Sequence, residues 1–190
     1  MALTPSLVKF VRGVWSTGTD NEKIDANARF LAVVTGLRHG HIKWEDGQPV
    51  DRRMVPVQDH PLPPARTDLG DLDETEWPIG KDGAPADPWQ FTFELPLLDL
   101  ENSAQRLYST PSFGGRQAIG RLARTYALRK KKDPGKLPVV ELACESYKHA
   151  TYGVVQNPVL KIVDWLPDPD WSPPEPPPDA SSDLNDEIPF

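Results

Sequence analysis

Hydrophobic and polar positions alternate most clearly in WQFTFELPLLDL (89–100), where Trp89, Phe91, Phe93 and Leu95 share one side. A period of two with aromatic and branched residues predicts a half-buried strand. VKFVRGVW (8–15) reads as a strand. RFLAVVTGLRHGHIKW (29–44) reads as a strand or hairpin arm with GQPVDRRMVPV (47–57) as its partner, and RLYSTPSF (106–113) pairs back on 89–100 after a polar turn. Residues 59–88 hold prolines, acids and glycines with no period, which predicts a long loop or insertion. The period then changes. In 114–132, Ile119, Leu122, Ala123 and Tyr126 recur at helical spacing, with Arg116, Arg121 and Arg124 on the other side. The pair Gly114-Gly115 reads as a strand-to-helix turn, and Asp133-Pro134-Gly135 stops the helix. LPVVELACESYKH (137–149) and NPVLKIVDW (157–165) predict two more strands, with Cys144 in the core.

Several strands, one helix and a final strand pair predict a mainly β chain with one helix. An OB-fold-like barrel places its helix this way; other α+β barrels and a sandwich with one helix remain open. The expected organisation is a body over 1–166, a Pro-rich linker over 167–182 and an acidic tip over 183–190. With 22 prolines in 190 residues, part of the chain is expected to stay disordered, extended to Pro178 and flexible beyond. No run of 18 apolar residues predicts a membrane span, and MALTPSLVKF lacks the pattern of a secretory signal. Cys144 is the only cysteine, so no internal disulfide is expected, which suits a reducing compartment.

Charge changes the picture. The net charge is −7, yet seven acids and no base follow from Asp168 onward, which leaves a neutral body with 21 bases and 21 acids. Between Arg106 and Lys148 stand ten bases and three acids, whereas 45–103 leans acidic. A basic face of this kind is common in nucleic-acid binders.

The chain closes on DLNDEIPF. An apolar pocket can take the Phe190 ring while a cation at its rim takes the carboxylate, and Pro189 limits the entropy lost on docking. Asp183, Asp186 and Glu187 add attraction to a basic ridge. These residues, with Ile188, Pro189 and Phe190, resemble the acidic Ile-Pro-Phe tip of bacterial single-stranded-DNA-binding proteins (SSBs). Three such residues at a chain end arise by chance about once in 10^4 chains. The resemblance covers the last eight residues and the linker character. It implies a divergent SSB of phage or mobile-element type, working in the cytoplasm of a bacterial cell. It further implies that the tip docks enzymes of DNA replication, repair and recombination.

A sequence-tolerant strand site needs cations for phosphates and aromatic faces for bases. The candidates are Arg38, Lys43 and Trp44; Phe113 and Arg116; Arg121, Arg124, Arg129, Lys130, Lys131 and Lys132; and Tyr147, Lys148 and Tyr152. Each has a plainer reading as core, hairpin packing or solvated face. GRQAIGRL (115–122) has phosphate-loop spacing but puts Arg121 and Leu122 where Lys and Ser/Thr belong. His39 and His41 lack a third metal ligand nearby, and DLDETE (71–76) reads as a solvated loop. No nucleophile–base pair, cofactor motif or metal motif stands out. The expected function is therefore non-enzymatic: binding single-stranded DNA and recruiting partners, with a homo-oligomer allowed. The alternative is an adaptor or decoy that fills SSB-docking pockets on host enzymes without touching DNA.

Overall fold

The structure is a computed structural model that describes residues 5–80, 82–150, 153–170 and 172. The linker beyond that, the tip 183–190 and Tyr152 lie outside the described residues. The chain forms strands β1 (Ser6–Val11), β2 (Val14–Thr17), β3 (Glu22–Lys23), β4 (Arg29–Ala32), β5 (Arg38–Glu45), β6 (Gln48–Pro56), β7 (Trp89–Asp99) and β8 (Gln105–Thr110). Helix α1 (Phe113–Lys130) follows, then β9 (Lys136–His149) and β10 (Gly153–Pro167). One sheet holds them all in the order β10-β9-β4-β7-β8-β1-β2-β3, with β5 inserted between β7 and β6. It curls into a half-barrel. From β4 onward, a strand bent at the 3-10 turn Val34–Gly36, then β7, β8, α1, β9 and β10, follow each other in an order compatible with an OB-like fold. No described helix is long and apolar enough to cross a membrane.

Two turns set the hairpins. At Arg12-Gly13 and at Asp46-Gly47 both central residues take positive φ, as a two-residue turn between right-twisted strands requires. The first turn splits what reads as one strand over 8–15 into β1 and β2. The resulting ribbon pairs parallel to β8, from Ser6 opposite Arg106 to Val8 opposite Tyr108. Its far side reaches β9 through a side chain: the Trp15 indole donates to the Ala143 carbonyl at 2.7 Å.

β7 is the spine. One edge carries β4 and then β5, the other carries β8. Its inward row supplies Leu95 and Leu97 to a core with Val8, Trp15, Phe30, Tyr108, Ile119, Leu122 and Val140. The opposite row buries Glu94, at 3% exposure, against the Arg52 guanidinium. Burial pushes the Tyr108 phenol up to about 12.

The helix starts one residue before the expected range. Ser112 caps it by accepting from the Gly115 amide at 3.1 Å, so Gly114 and Gly115 lie in its first turn rather than in a preceding turn. The phosphate-loop-like segment 115–122 is therefore regular helix. Cys144 is exposed, contrary to expectation. β9 and β10 run on as a two-stranded arm; Pro158, opposite Cys144, is still buried beside Gly114, whereas Cys144 and the positions from Glu145 to Lys148 are exposed.

A methyl at Gly115 would meet the Tyr108 hydroxyl at 2.7 Å and overlap the Thr110 side chain. Helix propensity alone favours Gly115→Ala by about 1 kcal/mol. Overpacking costs about 1–3 kcal/mol. We expect the variant to be less stable by about 1–2 kcal/mol in urea unfolding; a gain in stability would mean that the helix does not press on β8 there.

Candidate nucleic-acid interface

The inward row of β7 runs on from Leu95 toward the start of the strand, where Phe93 still packs against the core and Trp89 is buried. Trp89, Phe91 and Phe93 stand on the same side as Leu95, opposite Lys43, His41 and His39 of β5. Phe91 and Phe93 meet edge to face with centroids 5.4 Å apart. His41 packs on Phe91 at 5.3 Å and His39 on Phe93 at 6.0 Å. The Arg116 guanidinium lies 5.1 Å over the Phe91 ring. The helix cations therefore divide: Arg121 and Arg124 face solvent as expected, whereas Arg116 turns inward and is half-buried. Its spacing from Ile119 and Leu122 puts it at the flank of the apolar stripe, where β7 offers an aromatic face.

The loop 59–88 covers this row. His39 Nε2 lies 2.8 Å from the His60 carbonyl. Asp71 accepts from the Trp89 indole at 2.8 Å and pairs with Lys43 at 3.1 Å. Those two donors hold the Asp71 carboxyl below the usual range, the indole most strongly. Lys43 also pairs with Glu45 at 3.0 Å, and its acidic neighbours raise it, Glu45 first. Arg66 grips both oxygens of Asp87 at 2.7 and 2.8 Å and donates to the Gly70 and Asp71 carbonyls. The loop thus has an order that its composition does not announce.

Burial, then the nearby Arg66 charge, lowers the His41 pKa from 6.5, with Asp87 opposing. His41 Nδ1 and Arg116 Nε are buried with no hydrogen-bond partner among the described residues. His39 and His41 are both core-facing rather than loop residues, and among the described residues no three His, Cys, Asp or Glu side chains are grouped to hold a metal ion.

The remaining candidates fall in separate places. Trp44 lies on the outer face of β5 and lines a groove of about 510 Å³ with Leu7, Lys9, Gln90, Thr92 and Ser109; its Nε1 is buried without a partner among the described residues. Arg38, at the other end of β5, donates to the Met54 carbonyl at 2.9 Å. Phe113 stands exposed at the helix start. Arg121 reaches Glu145 on β9 at 3.4 Å, which links the helix face to the β9–β10 arm carrying Tyr147 and Lys148. Lys43, Phe91 and Arg116 thus lie on the covered inner side, and Arg121 and the arm on the exposed side. The run Arg129–Lys132 lies about 20 Å along the helix from Arg116 at roughly 1.5 Å per residue. There Arg129 pairs with Asp133 at 3.0 Å and covers Trp165, and Lys130 lies over Tyr126. The alternation of Trp89, Phe91 and Phe93 reads in the sequence as one face of a strand; their pairing with His39, His41 and Lys43 is visible only in the register of β5 on β7.

No family model, curated protein or solved structure matches the chain.

The lowered His41 pKa carries a sign. Above pH 6.5 the ring is neutral folded or unfolded, so its contribution to stability is fully present. As pH falls through the folded value the unfolded chain binds the extra proton first, and that stability is lost. We expect the His41 ring resonance to titrate below 6.5 in NMR, and the acid limb of stability against pH to flatten in His41→Gln. A midpoint at or above 6.5 would refute the burial of this ring.

Proposed function

We propose that the protein binds single-stranded DNA and recruits genome-maintenance enzymes to it through the tip. One observation carries the reading: Asp183, Asp186, Glu187, Ile188, Pro189 and Phe190 form an acidic run ending in an apolar anchor, beyond a Pro-rich stretch. The curled β body is compatible with an OB-like fold, an architecture that serves oligonucleotide binding elsewhere. The exposed Arg121 and Arg124, the β9–β10 arm and the Trp44 groove supply cations and aromatic surface. In this reading phosphates follow the cations and bases stack on aromatic faces. The tip docks by its ring and its acids, and that docking weakens with salt.

A second reading has its own support. Lys43, Arg121 and Arg129 are each paired with an acid of the same chain, as suits an adaptor that fills SSB-docking pockets without touching DNA.

A labelled oligo-dT titration at low and moderate salt separates them. We expect binding that weakens with salt. In Arg121→Glu or Arg124→Glu the salt slope becomes shallower by about 0.7, the share of one phosphate partner. Removing 183–190 preserves or strengthens binding, and Phe190→Ala abolishes partner pull-down at unchanged oligo-dT affinity. No binding at any salt would leave the adaptor reading; unchanged pull-down would remove the docking role of the tip.

A further inference from the structure

We propose that the inward row Trp89, Phe91 and Phe93, with His39, His41 and Lys43, is a single-strand site whose built-in occupant is the 59–88 loop. The inference rests on the strand-binding reading above and adds where the strand sits and what it must displace.

The row has the chemistry of such a site. Two phenyl rings and two imidazoles offer faces to bases, and Lys43 and Arg116 offer charge to phosphates. It is also poorly completed as a core. His41 is 8% exposed and leaves Nδ1 without a partner among the described residues, as Arg116 leaves Nε. A buried polar atom left unpaired is costly, so a cluster selected only for packing would not keep two of them. Base edges and phosphate oxygens can satisfy both.

The loop covers the row in the manner of a competitor. Residues 59–88 hold eight acids against two Lys/Arg residues. One of the acids, Asp71, reaches two groups at once, the Lys43 ammonium and the Trp89 indole. The backbone carbonyl of His60 takes Nε2 of His39. Thus a carboxylate sits where a phosphate would pair with Lys43, and a carbonyl oxygen meets a ring nitrogen that a base edge would meet. Much of the loop's apolar surface faces solvent, with Leu62, Leu72 and Ile79 at 81%, 57% and 68% exposure, while Leu69 and Trp77 are half-buried. Its hold on the sheet is largely ionic and hydrogen-bonded, and exposed ion pairs are weak. A polyanion can replace such a hold, because phosphate takes up each ion pair that the loop gives up.

The test compares the full chain with Asp71→Asn, which keeps an acceptor for the Trp89 indole but removes one of the two carboxylates that face Lys43, leaving Glu45. We expect Asp71→Asn to bind labelled oligo-dT about three- to five-fold more tightly at low salt, the range that one exposed ion pair allows. The slope of log affinity against log salt steepens, by at most about 0.7, as Lys43 loses one of its two acidic partners. Phe91→Ala in the same background reverses the gain. As a measurement that needs no variant, trypsin should cut after Arg66 faster when oligo-dT is bound, since the strand lifts the loop. Unchanged or weaker binding by Asp71→Asn, with an unchanged slope and unchanged cleavage after Arg66, overturns this inference while leaving wild-type strand binding in place. If neither wild type nor Asp71→Asn binds oligo-dT at any salt, the strand-binding reading fails and the inference falls with it.

Discussion

The inward row of β7 must serve the barrel at one end and the candidate site at the other. Leu95 and Leu97 lock the sheet onto α1 and β9, while Phe93 packs at the margin of that core and Phe91 continues the alternation to meet Arg116 of the helix. A strand cannot change one face without its register, since a slip of one residue would send every side chain to the opposite side. The geometry of the aromatic platform is therefore fixed by the packing of the core. The pairing of Glu94 with Arg52 on the opposite face works in the same direction, because a slip would expose the leucines and strand the carboxylate.

The two ends of the row are held by different forces. Around Leu95 the packing is apolar and persists in salt. Around Trp89 and Lys43 it gives way to carboxylate on indole and carboxylate on ammonium, in a loop where Leu62 and Leu72 face solvent. Local stability should follow this division, high in the barrel and low in the loop, as is common for segments that move during binding. The barrel can then stay rigid while its cover exchanges.

Most strands, the helix and the irregular 59–88 segment are legible in the sequence because each has a period or lacks one over enough residues to decide. The differences arise where local pattern has no say. Arg12-Gly13 breaks an apparent strand because two residues of positive φ suffice to reverse the chain. Cys144 reads as core on alternation alone, yet whether an alternating position is buried depends on what lies over it: its cross-strand partner Pro158 is covered beside Gly114, whereas Cys144 is left exposed. The order of the loop rests on Arg66 and Asp71, which bind carbonyls and side chains distant along the chain. For the site, residue type indicates Lys43, Trp44 and Arg116, but no linear pattern shows that Arg116 lies on Phe91 while the run from Arg129 stands at the other end of the helix.

Charge gives the last step. The body is neutral because its acids and bases balance, and the loop keeps several of them close together: Asp71 at Lys43, Asp87 at Arg66. A neutral surface with exposed lysines would attract any polyanion; one whose cations beside the β7 row are already paired with acids would attract only a polyanion able to offer more. A single carboxylate presents one charge at one point, whereas a strand presents a phosphate per nucleotide and releases counterions as it binds. Internal pairing of this kind lowers affinity for short or weakly charged ligands more than for a long strand. In the strand-binding reading proposed above, it would convert a modest cost in binding energy into selectivity for length, through half-buried pairs at the surface rather than a fully buried gate.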